Sequence, residues 1–516
     1  MAAPSLAYGT FVLSLASLYN RVLGFAYQVV LVRLVHAEGI GLYNMVYPIY
    51  VMVLVLASAG IPVAIAKLVA EELARHNPAA AYRIFRRSCV YILFFALFCT
   101  LGLSAATPWI LRHVFVNPDV QPAFTALIPG VLIVSVCSAF RGFFQGLQQM
   151  WPTAFTQAVE QTVRVTVGLG LAWFLLPRGV ACATAGVSAG VVVGELVGLI
   201  SMLGIYLRRR PRFVLPMKAE GGFVADTRRI FSLAVPVTLT RFTSTALMSL
   251  DAILIPQRLA AAGLTLSQAT ATYGKLVGMA ETLLYTPGIL TVSLATALVP
   301  AVADAAAQGN RYLLTKRIGA AVRVAILIGL PAGVVFLLLP SRLCALLFGY
   351  PDAGAILTTL AAGGPFLYLV QATTGILQGL GRAAEPLKNM LWASIFKVAG
   401  IFYATAVWGI QGTGLVLTGY LIIMAVLNLR DVTRLTGCRL DWSRLLTRPL
   451  AASFVLALVV SGLTRLGGTG ATGTLTALAG GLAAYLGVLI LVGGLTPAEL
   501  DRLRVLIGQV MRALRR

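Results

Sequence analysis

The chain has 516 residues, of which 59% are hydrophobic and only 11% are charged, whereas ordinary soluble proteins average about 45–50% and about 25%. A chain this apolar cannot hide all its hydrophobic side chains in a water-soluble core, which excludes an ordinary soluble enzyme. Its net charge of +23 would indicate nucleic-acid binding in a soluble protein. In a membrane protein it indicates basic cytoplasmic loops, and we therefore expect membrane lipids as partners and no nucleic acid.

Apolar runs recur along the whole chain. Because a membrane-crossing helix needs about 20 apolar residues, the runs predict an all-α polytopic membrane protein with about 14 transmembrane helices. The predicted spans lie near residues 6–35, 40–70, 88–112, 123–147, 154–177, 180–207, 229–257, 268–303, 318–341, 354–380, 386–409, 412–430, 448–467 and 473–495. Several are longer than one straight crossing needs, which predicts tilt or kinks.

Basic residues divide the predicted protein into parts. The basic segment 208–228 separates an N-lobe of helices 1–6 (1–207) from a C-lobe of helices 7–12 (229–430). Helices 13 and 14 follow within 431–495, and 496–516 is predicted to be an amphipathic helix on the cytoplasmic leaflet. Lys and Arg concentrate in alternate loops, which predicts a bacterial cytoplasmic-membrane protein with both termini in the cytoplasm.

The two halves share short motifs. Gln-Gly-Leu at 145–147 recurs at 378–380, and Ser58–Ile61 resembles Thr286–Ile289 at nearly the same offset along the chain. Chance similarity between apolar helices is the alternative. Because both halves begin and end on the same side, a duplication predicts two six-helix lobes as a parallel repeat around a central cavity.

Ionisable residues occur inside the predicted spans, where each costs about 2.5–3.5 kcal/mol on insertion scales and is expected to face a wet cavity or a partner. They are Arg21, Glu160, Arg164, Glu195, Arg241, Asp251, Lys275, Glu281 and Lys397. Glu160 and Arg164 lie one helical turn apart and can pair, either as a clamp between helices or as part of a site. Arg21 lies mid-span with no acidic residue within one turn, which favours a cavity role.

A basic cavity suits an anionic substrate such as a pyrophosphate, because guanidinium groups match phosphate oxygens. Tyr47 and Asn44, with Tyr43 and Tyr50 on the same helix face, could contact sugars, although packing explains them equally well. The predicted substrate-binding residues are Arg21, Asn44, Tyr47, Arg164, Arg241, Lys275 and Lys397, and the predicted charge-balancing or ion-coupling residues are Glu160, Glu195, Asp251 and Glu281.

Proline and glycine inside the spans indicate places where helices can bend. The predicted hinge residues are Pro48, Gly60, Pro62, Pro287 and Gly288. The sequence has no ATP-binding P-loop, no GxSxG motif and no metal-binding constellation, so we expect no enzyme, no cofactor and no metal site. Transport is then driven by an ion such as Na⁺ or H⁺, by the membrane potential or by the substrate gradient.

Two stretches resemble a known family. Arg141–Val165 and Asn20–Leu34 are similar to the stage V sporulation protein B family, polysaccharide-biosynthesis membrane proteins of the MOP superfamily, which also contains lipid II flippases and MATE multidrug exporters. The resemblance covers essentially the whole chain. It implies two six-helix lobes around a central cavity and two additional C-terminal helices.

The lipid II flippases resemble this chain at Asn20–Phe25, and this resemblance implies a functional role for Arg21. The chain differs where many of those flippases have a second arginine followed by aspartate, since it has Tyr27 and Gln28 there. It has Asn44 near their second-span aspartate, and Glu281 at or near an eighth-span arginine. These differences favour a related lipid-linked glycan over lipid II itself.

Together, these observations and the resemblance predict a flippase for a polyprenyl-pyrophosphate-linked precursor of peptidoglycan, spore cortex or another polysaccharide. One alternative is a cation-coupled multidrug exporter of the MATE type, which needs a carboxylate-centred cavity. Another is a non-transporting membrane scaffold that recruits cell-wall synthesis proteins during sporulation. So many ionisable residues inside the spans argue against the scaffold, because it would gain nothing from them.

Overall fold

The structure is a computed structural model that describes residues 6–209, 222–438, 440–466, 468 and 470–494. Every regular element in these ranges is a helix. The α-helices are α1 (Leu6–Ser58), α2 (Ile61–Ala74), α3 (Pro78–His113), α4 (Gln121–Gly146), α5 (Trp151–Leu175), α6 (Val180–Arg209), α7 (Phe223–Ala261), α8 (Leu266–Lys275), α9 (Thr282–Tyr285), α10 (Gly288–Ala307), α11 (Arg311–Leu338), α12 (Pro340–Phe348), α13 (Ala353–Ala361), α14 (Gly364–Gly379), α15 (Ala384–Thr436), α16 (Trp442–Leu466) and α17 (Ala471–Leu491). The predicted amphipathic helix at 496–516 and most of the segment 208–228 lie outside the described residues.

Ten helices within the described ranges are long and apolar enough to cross a membrane, or eleven if the bent pair α13 and α14 forms one span. Two of the helices are unusually long. Helices α1 and α15 each have 53 residues, about 80 Å at 1.5 Å per residue, against a hydrocarbon thickness of about 30 Å. The all-α membrane fold is as predicted, and the count of fourteen spans stays a prediction.

Backbone kinks divide these long helices where the sequence places span boundaries. In α1 the kink is at His36, with φ 61° and ψ 179°, between the predicted spans 6–35 and 40–70. In α15 it is at Gly409, with φ 60° and ψ −145°, the last residue of the predicted span 386–409 and just before the predicted span 412–430. The hydropathy pattern therefore locates both bends.

Other predicted spans are interrupted in ways that hydropathy does not show. The second breaks at Gly60 before α2, the eighth is divided among α8, a π-helical turn at Leu276–Glu281, α9 and α10, and the tenth bends by 55° between α13 and α14. Helix α7 starts at Phe223, ahead of the predicted span. A short helix that we did not predict, α12, begins at Pro340.

The chain forms two compact units: unit 1 comprises Met1–Met279 and Ile401–Ile410, and unit 2 comprises Ala280–Gly400 and Gln411–Arg516. The core of unit 1 joins α2, α3, α4, α6 and α7 around stacked Phe85 and Phe143 rings, whose centroids are 4.2 Å apart. In unit 2, Val302, Ile318 and Ile376 centre a core built from α10, α11, α14 and α15.

Matching turns within each unit support the predicted duplication. Before α3, the Asn77 side chain accepts a hydrogen bond from the Ala80 amide at 3.0 Å; before α11, Asn310 accepts one from Leu313 at 2.9 Å. The preceding residues, His76 and Gly309, both have positive φ, 56° and 64°. The separation along the chain between Asn77 and Asn310 equals the separation between the two Gln-Gly-Leu motifs.

Helix packing repeats at the same offset. In unit 1, Cβ atoms added at Gly142 and Gly146 of α4 would lie 2.5 and 2.9 Å from carbonyl oxygens of α2. In unit 2, Cβ atoms added at Gly375 and Gly379 of α14 would lie 2.8 and 2.7 Å from carbonyl oxygens of α10. Such distances leave no room for a side chain, so only glycine allows the two helix backbones in each unit to pack this closely. The shared motif therefore has a packing role in both halves.

Candidate functional site: a buried ion chain in unit 1

Glycines bring α5 and α6 into close contact. They recur at every fourth position of α6, at Gly186, Gly190, Gly194 and Gly198. A Cβ at Gly194 would lie 2.8 Å from the Glu160 carbonyl oxygen of α5. Because four-residue spacing places small residues along one helix face, the two backbones pack closely. This contact places Glu195 of α6 beside the charged residues of α5.

Four charged side chains form a continuous chain inside unit 1. Arg141 Nη2 of α4 donates to Glu160 Oε2 at 2.5 Å, and Arg164 Nη2 donates both to Glu160 Oε1 at 2.8 Å and to Glu195 Oε1 at 2.6 Å. The side chains of Arg141, Glu160, Arg164 and Glu195 are 15%, 11%, 18% and 8% exposed. The ion chain is neutral when both carboxyl groups are ionised.

The pair between Glu160 and Arg164 forms as their four-residue spacing predicts. Arg141 is a site residue that sequence reasoning missed, because it was assigned to the basic edge of a predicted loop. Since it lies on a different helix from Glu160, its separation along the chain carries no periodic signal. Only tertiary packing brings them together.

Tyrosines of α1 face this ion chain. Tyr43 and Tyr47 stack with ring centroids 5.3 Å apart, and Tyr47 and Tyr50 follow at 5.9 Å. Tyr47 also interacts with Arg164. The predicted sugar-binding Asn44 lies one turn away, where its Nδ2 donates to the Ile40 carbonyl of its own helix at 2.9 Å. The predicted residues Tyr47 and Arg164 therefore share one site.

Arg21 is half-buried in α1 and makes no ion pair or hydrogen bond with the residues that the structure describes. Two contacts near it hold α1 against α5: the Tyr19 hydroxyl is 2.9 Å from the Thr162 hydroxyl, and Gly24 faces Gln161. Unlike Arg164, this guanidinium has no protein counter-ion in the described ranges. It is thus available to an anion.

The remaining predicted residues are distributed over both units. Arg241 is exposed on α7, Asp251 is half-buried on the same helix, and Lys275 is half-buried at the end of α8, all in unit 1. In unit 2, Glu281 is half-buried, and Lys397 is 5% exposed with Nζ 5.0 Å from the centroid of the Tyr420 ring. Their convergence on one chamber stays a prediction.

Most of the predicted hinge residues lie at helix breaks. Gly60 adopts φ 62° and ψ 0°, and Pro62 lies in the first turn of α2. Pro287 precedes α10, and Gly288 is its first residue. Pro48 differs, because it lies inside α1 without a backbone break. Four of the five positions thus interrupt a helix, while motion at any of them stays a prediction.

A second ion cluster, which the sequence did not reveal, lies at the start of α7. Asp226 accepts from Arg83 Nε at 2.9 Å and from Arg87 Nη1 at 2.6 Å, while Arg229 Nη1 donates to Glu72 at 2.7 Å. These pairs join the first turns of α7 to α2 and α3. The basic segment that was predicted to be a linker therefore ends in an ordered, ion-paired helix.

Solved membrane proteins share this fold. The fold matches a solved lipid II flippase MurJ in an inward closed conformation, with a TM-score of 0.72 and 13% identity over 93% of this chain and 98% of that one. It also matches an inward-facing multidrug resistance MATE transporter of the MOP superfamily, with a TM-score of 0.70 and 15% identity over 81% and 94%. With ten or eleven described helices long and apolar enough to cross a membrane, the protein is a multi-pass membrane protein that shares the fold of these two structures.

The sequence comparisons define the family. The chain belongs to the polysaccharide biosynthesis protein family, which matches residues 6–306. A relative in Bacillus subtilis (strain 168), stage V sporulation protein B, is 30% identical over 441 residues, 84% of this chain and 85% of the relative. The resemblance drawn from Arg141–Val165 and Asn20–Leu34 is confirmed.

Proposed function

We propose that this protein is a flippase that moves a polyprenyl-pyrophosphate-linked precursor of peptidoglycan, spore cortex or another polysaccharide by alternating access. Two comparisons support the proposal. The family is named for polysaccharide biosynthesis, and a protein of the same fold is a lipid II flippase. The head group would cross through a polar chamber while the polyprenyl tail stays in the bilayer.

The observation that carries this proposal is that Arg21 has no counter-ion among the described residues. A guanidinium in the middle of a membrane-spanning helix costs about 2.5–3.5 kcal/mol on insertion scales, and no described residue neutralises Arg21. An anionic substrate head would offset that cost. Guanidinium groups bind phosphate oxygens in bidentate geometry, which suits a pyrophosphate.

We also propose the bacterial cytoplasmic membrane as the location, with both termini in the cytoplasm, because Lys and Arg concentrate in alternate loops. The precursor then enters from the cytoplasmic side, where it is made, and leaves on the outer side. Na⁺ or H⁺ is the proposed coupling ion, and cell-wall synthesis proteins are the proposed partners.

A transport assay with a charge-removing variant tests the proposal. In proteoliposomes containing either fluorescent lipid II or a fluorescent polyprenyl-pyrophosphate-linked sugar, outward movement of the head group is followed with a membrane-impermeant quencher. We expect Arg21→Ala to slow transport about tenfold or more, since a charge-assisted hydrogen bond contributes about 1.5–3 kcal/mol. Arg21→Lys, which keeps the charge without the planar fork, should retain an intermediate rate.

The matched control is Arg33→Ala, which removes an exposed arginine from the same helix and should leave transport unchanged. Full transport by a folded Arg21→Ala protein would contradict the proposed role of Arg21. Absence of lipid transport together with Na⁺- or H⁺-dependent drug extrusion would instead favour the cation-coupled multidrug exporter. The MATE-like fold and the buried carboxylates Glu160 and Glu195 support that second candidate.

A further inference from the structure

Glu195 differs from the other members of the ion chain. Glu160 uses both carboxylate oxygens, one with Arg141 and one with Arg164, whereas Glu195 uses only Oε1. Its Oε2 is buried and has no hydrogen-bond partner among the described residues. The side chain is only 8% exposed. Glu195 is therefore the end of the ion chain and the less fully stabilised of its two carboxylates.

This geometry identifies the group that can change charge. Guanidinium groups stay protonated, and Glu160 is held by two of them, so the charge of the ion chain changes most readily at Glu195. A buried carboxylate oxygen without a donor is costly, and a proton on Glu195 removes that charge. The ion chain then carries one net positive charge, located at Arg164.

Arg164 is positioned so that its guanidinium group can bind an anion once Glu195 is protonated. Its Nη2 is shared between the two carboxylates, at 2.8 and 2.6 Å, and its side chain is 18% exposed, more than that of Glu195. Losing the charge of Glu195 leaves donors on Arg164 for a new acceptor. Phosphate oxygens fit the guanidinium fork better than a single carboxylate oxygen does.

The charged and titratable groups that face Glu195 come from three helices. They are Glu160 and Arg164 on α5, Arg141 and Cys137 on α4, and Tyr47 and Tyr50 on α1. The arginines favour the ionised form of Glu195, and Glu160 and burial oppose it. This balance makes the ionisation of Glu195 sensitive to the arrival of a second anion.

We propose that Glu195 is a built-in counter-ion that competes with the pyrophosphate head of the substrate for Arg164. A proton from the solvent joins Glu195 when the anion binds, and it returns to the solvent when the anion leaves, so each binding event takes up one proton. The inference rests on the proposed function, because it takes the substrate to be a polyprenyl pyrophosphate. It assigns proton binding to a carboxyl–guanidinium pair, so that one proton crosses outward together with the anion. The driving energy then comes from the membrane potential acting on the remaining negative charge of the substrate, or from the substrate gradient.

The first measurement needs no ligand. Difference infrared spectroscopy on the purified, detergent-solubilised full-length protein follows the carboxyl C=O band as the pH is lowered. We expect a buried carboxyl to gain a proton in the wild type and in the conservative Glu195→Asp variant, and this band to be absent in Glu195→Gln. An unchanged band in Glu195→Gln would overturn the inference.

The second measurement uses farnesyl pyrophosphate as the probe. Calorimetric titration in buffers of different ionisation enthalpy should show uptake of about one proton per bound probe, with affinity rising up to about tenfold per pH unit as pH falls. Glu195→Gln should bind tightly without uptake at this site. The titration of the probe itself is common to both proteins and cancels in the comparison.

The control is Glu385→Gln, which removes an ion-paired carboxylate on α15, outside the site; it should behave as the wild type. Equal proton uptake by the wild type and Glu195→Gln would overturn the inference while leaving the flippase proposal intact. Failure of the wild type to bind the probe at any pH would count against the pyrophosphate substrate, and with it the competition at Arg164. The infrared result would still decide whether Glu195 exchanges a proton.

Discussion

Glu160 stabilises two buried arginines at once. Its carboxylate oxygens accept from Arg141 at 2.5 Å and from Arg164 at 2.8 Å. Removing one partner of a buried ion pair leaves an uncompensated charge, which costs about 3–5 kcal/mol. We therefore expect Glu160→Ala to lower the thermal unfolding temperature of the detergent-solubilised protein markedly.

The comparison variant is Glu71→Ala, which removes a carboxylate that is 37% exposed and pairs with Lys67 and Arg229. Exposed pairs contribute about 0–1 kcal/mol, so this variant should unfold close to the wild-type temperature. An equal decrease of the unfolding temperature in Glu160→Ala and Glu71→Ala would show that burial of the ion chain adds nothing to its contribution to stability.

Sequence reasoning at the scale of single residues succeeds where one helix contains both partners. The four-residue spacing of Glu160 and Arg164 predicts their pair. The partners of this pair on other helices, Arg141 and Glu195, follow no sequence period, because their distances depend on how α4 and α6 pack against α5. Glu195 is identified in the sequence as a buried charge, while its contact with Arg164 is visible only in the structure.

At the scale of helices, the seam between α5 and α6 depends on glycine. A Cβ at Gly194 would lie 2.8 Å from the Glu160 carbonyl and 3.0 Å from Arg164 Cβ, and overpacking costs about 1–3 kcal/mol. We expect Gly194→Ala to separate the helices, weaken the contact between Arg164 and Glu195, and lower thermal stability. Gly204→Ala on the same helix is the matched control, since no atom lies within 4 Å of its Cβ position.

A protein that tolerates Gly194→Ala as well as Gly204→Ala would contradict this packing.

The four-residue glycine spacing in α6 is visible in the sequence and indicates a close helix contact, although it does not identify α5 as the partner. Hydropathy likewise predicts span boundaries at the two bends, His36 and Gly409. It misses the division of the eighth span, because an interrupted helix can stay apolar throughout.

At the scale of the whole molecule, composition determines most of what could be predicted. An apolar content of 59% with 11% charged residues requires a lipid environment, and short motifs are enough to identify the family. Duplication is visible in the sequence as the repeated Gln-Gly-Leu, and the structure gives its physical basis in matching turns and glycine contacts. Composition and short motifs do not predict the substrate, because substrate choice depends on which charged side chains lie together in the folded protein.

We propose that basic side chains within the membrane-spanning helices, Arg21 above all, bind a pyrophosphate-linked lipid, and this binding can be measured. Native mass spectrometry of the protein purified from bacterial membranes, compared with Arg21→Ala, tests it most directly. We expect the wild type to retain a polyprenyl-pyrophosphate-linked glycan and Arg21→Ala to lose most of it. Equal retention by both proteins, or a wild type that carries only bulk phospholipids, would contradict the claim.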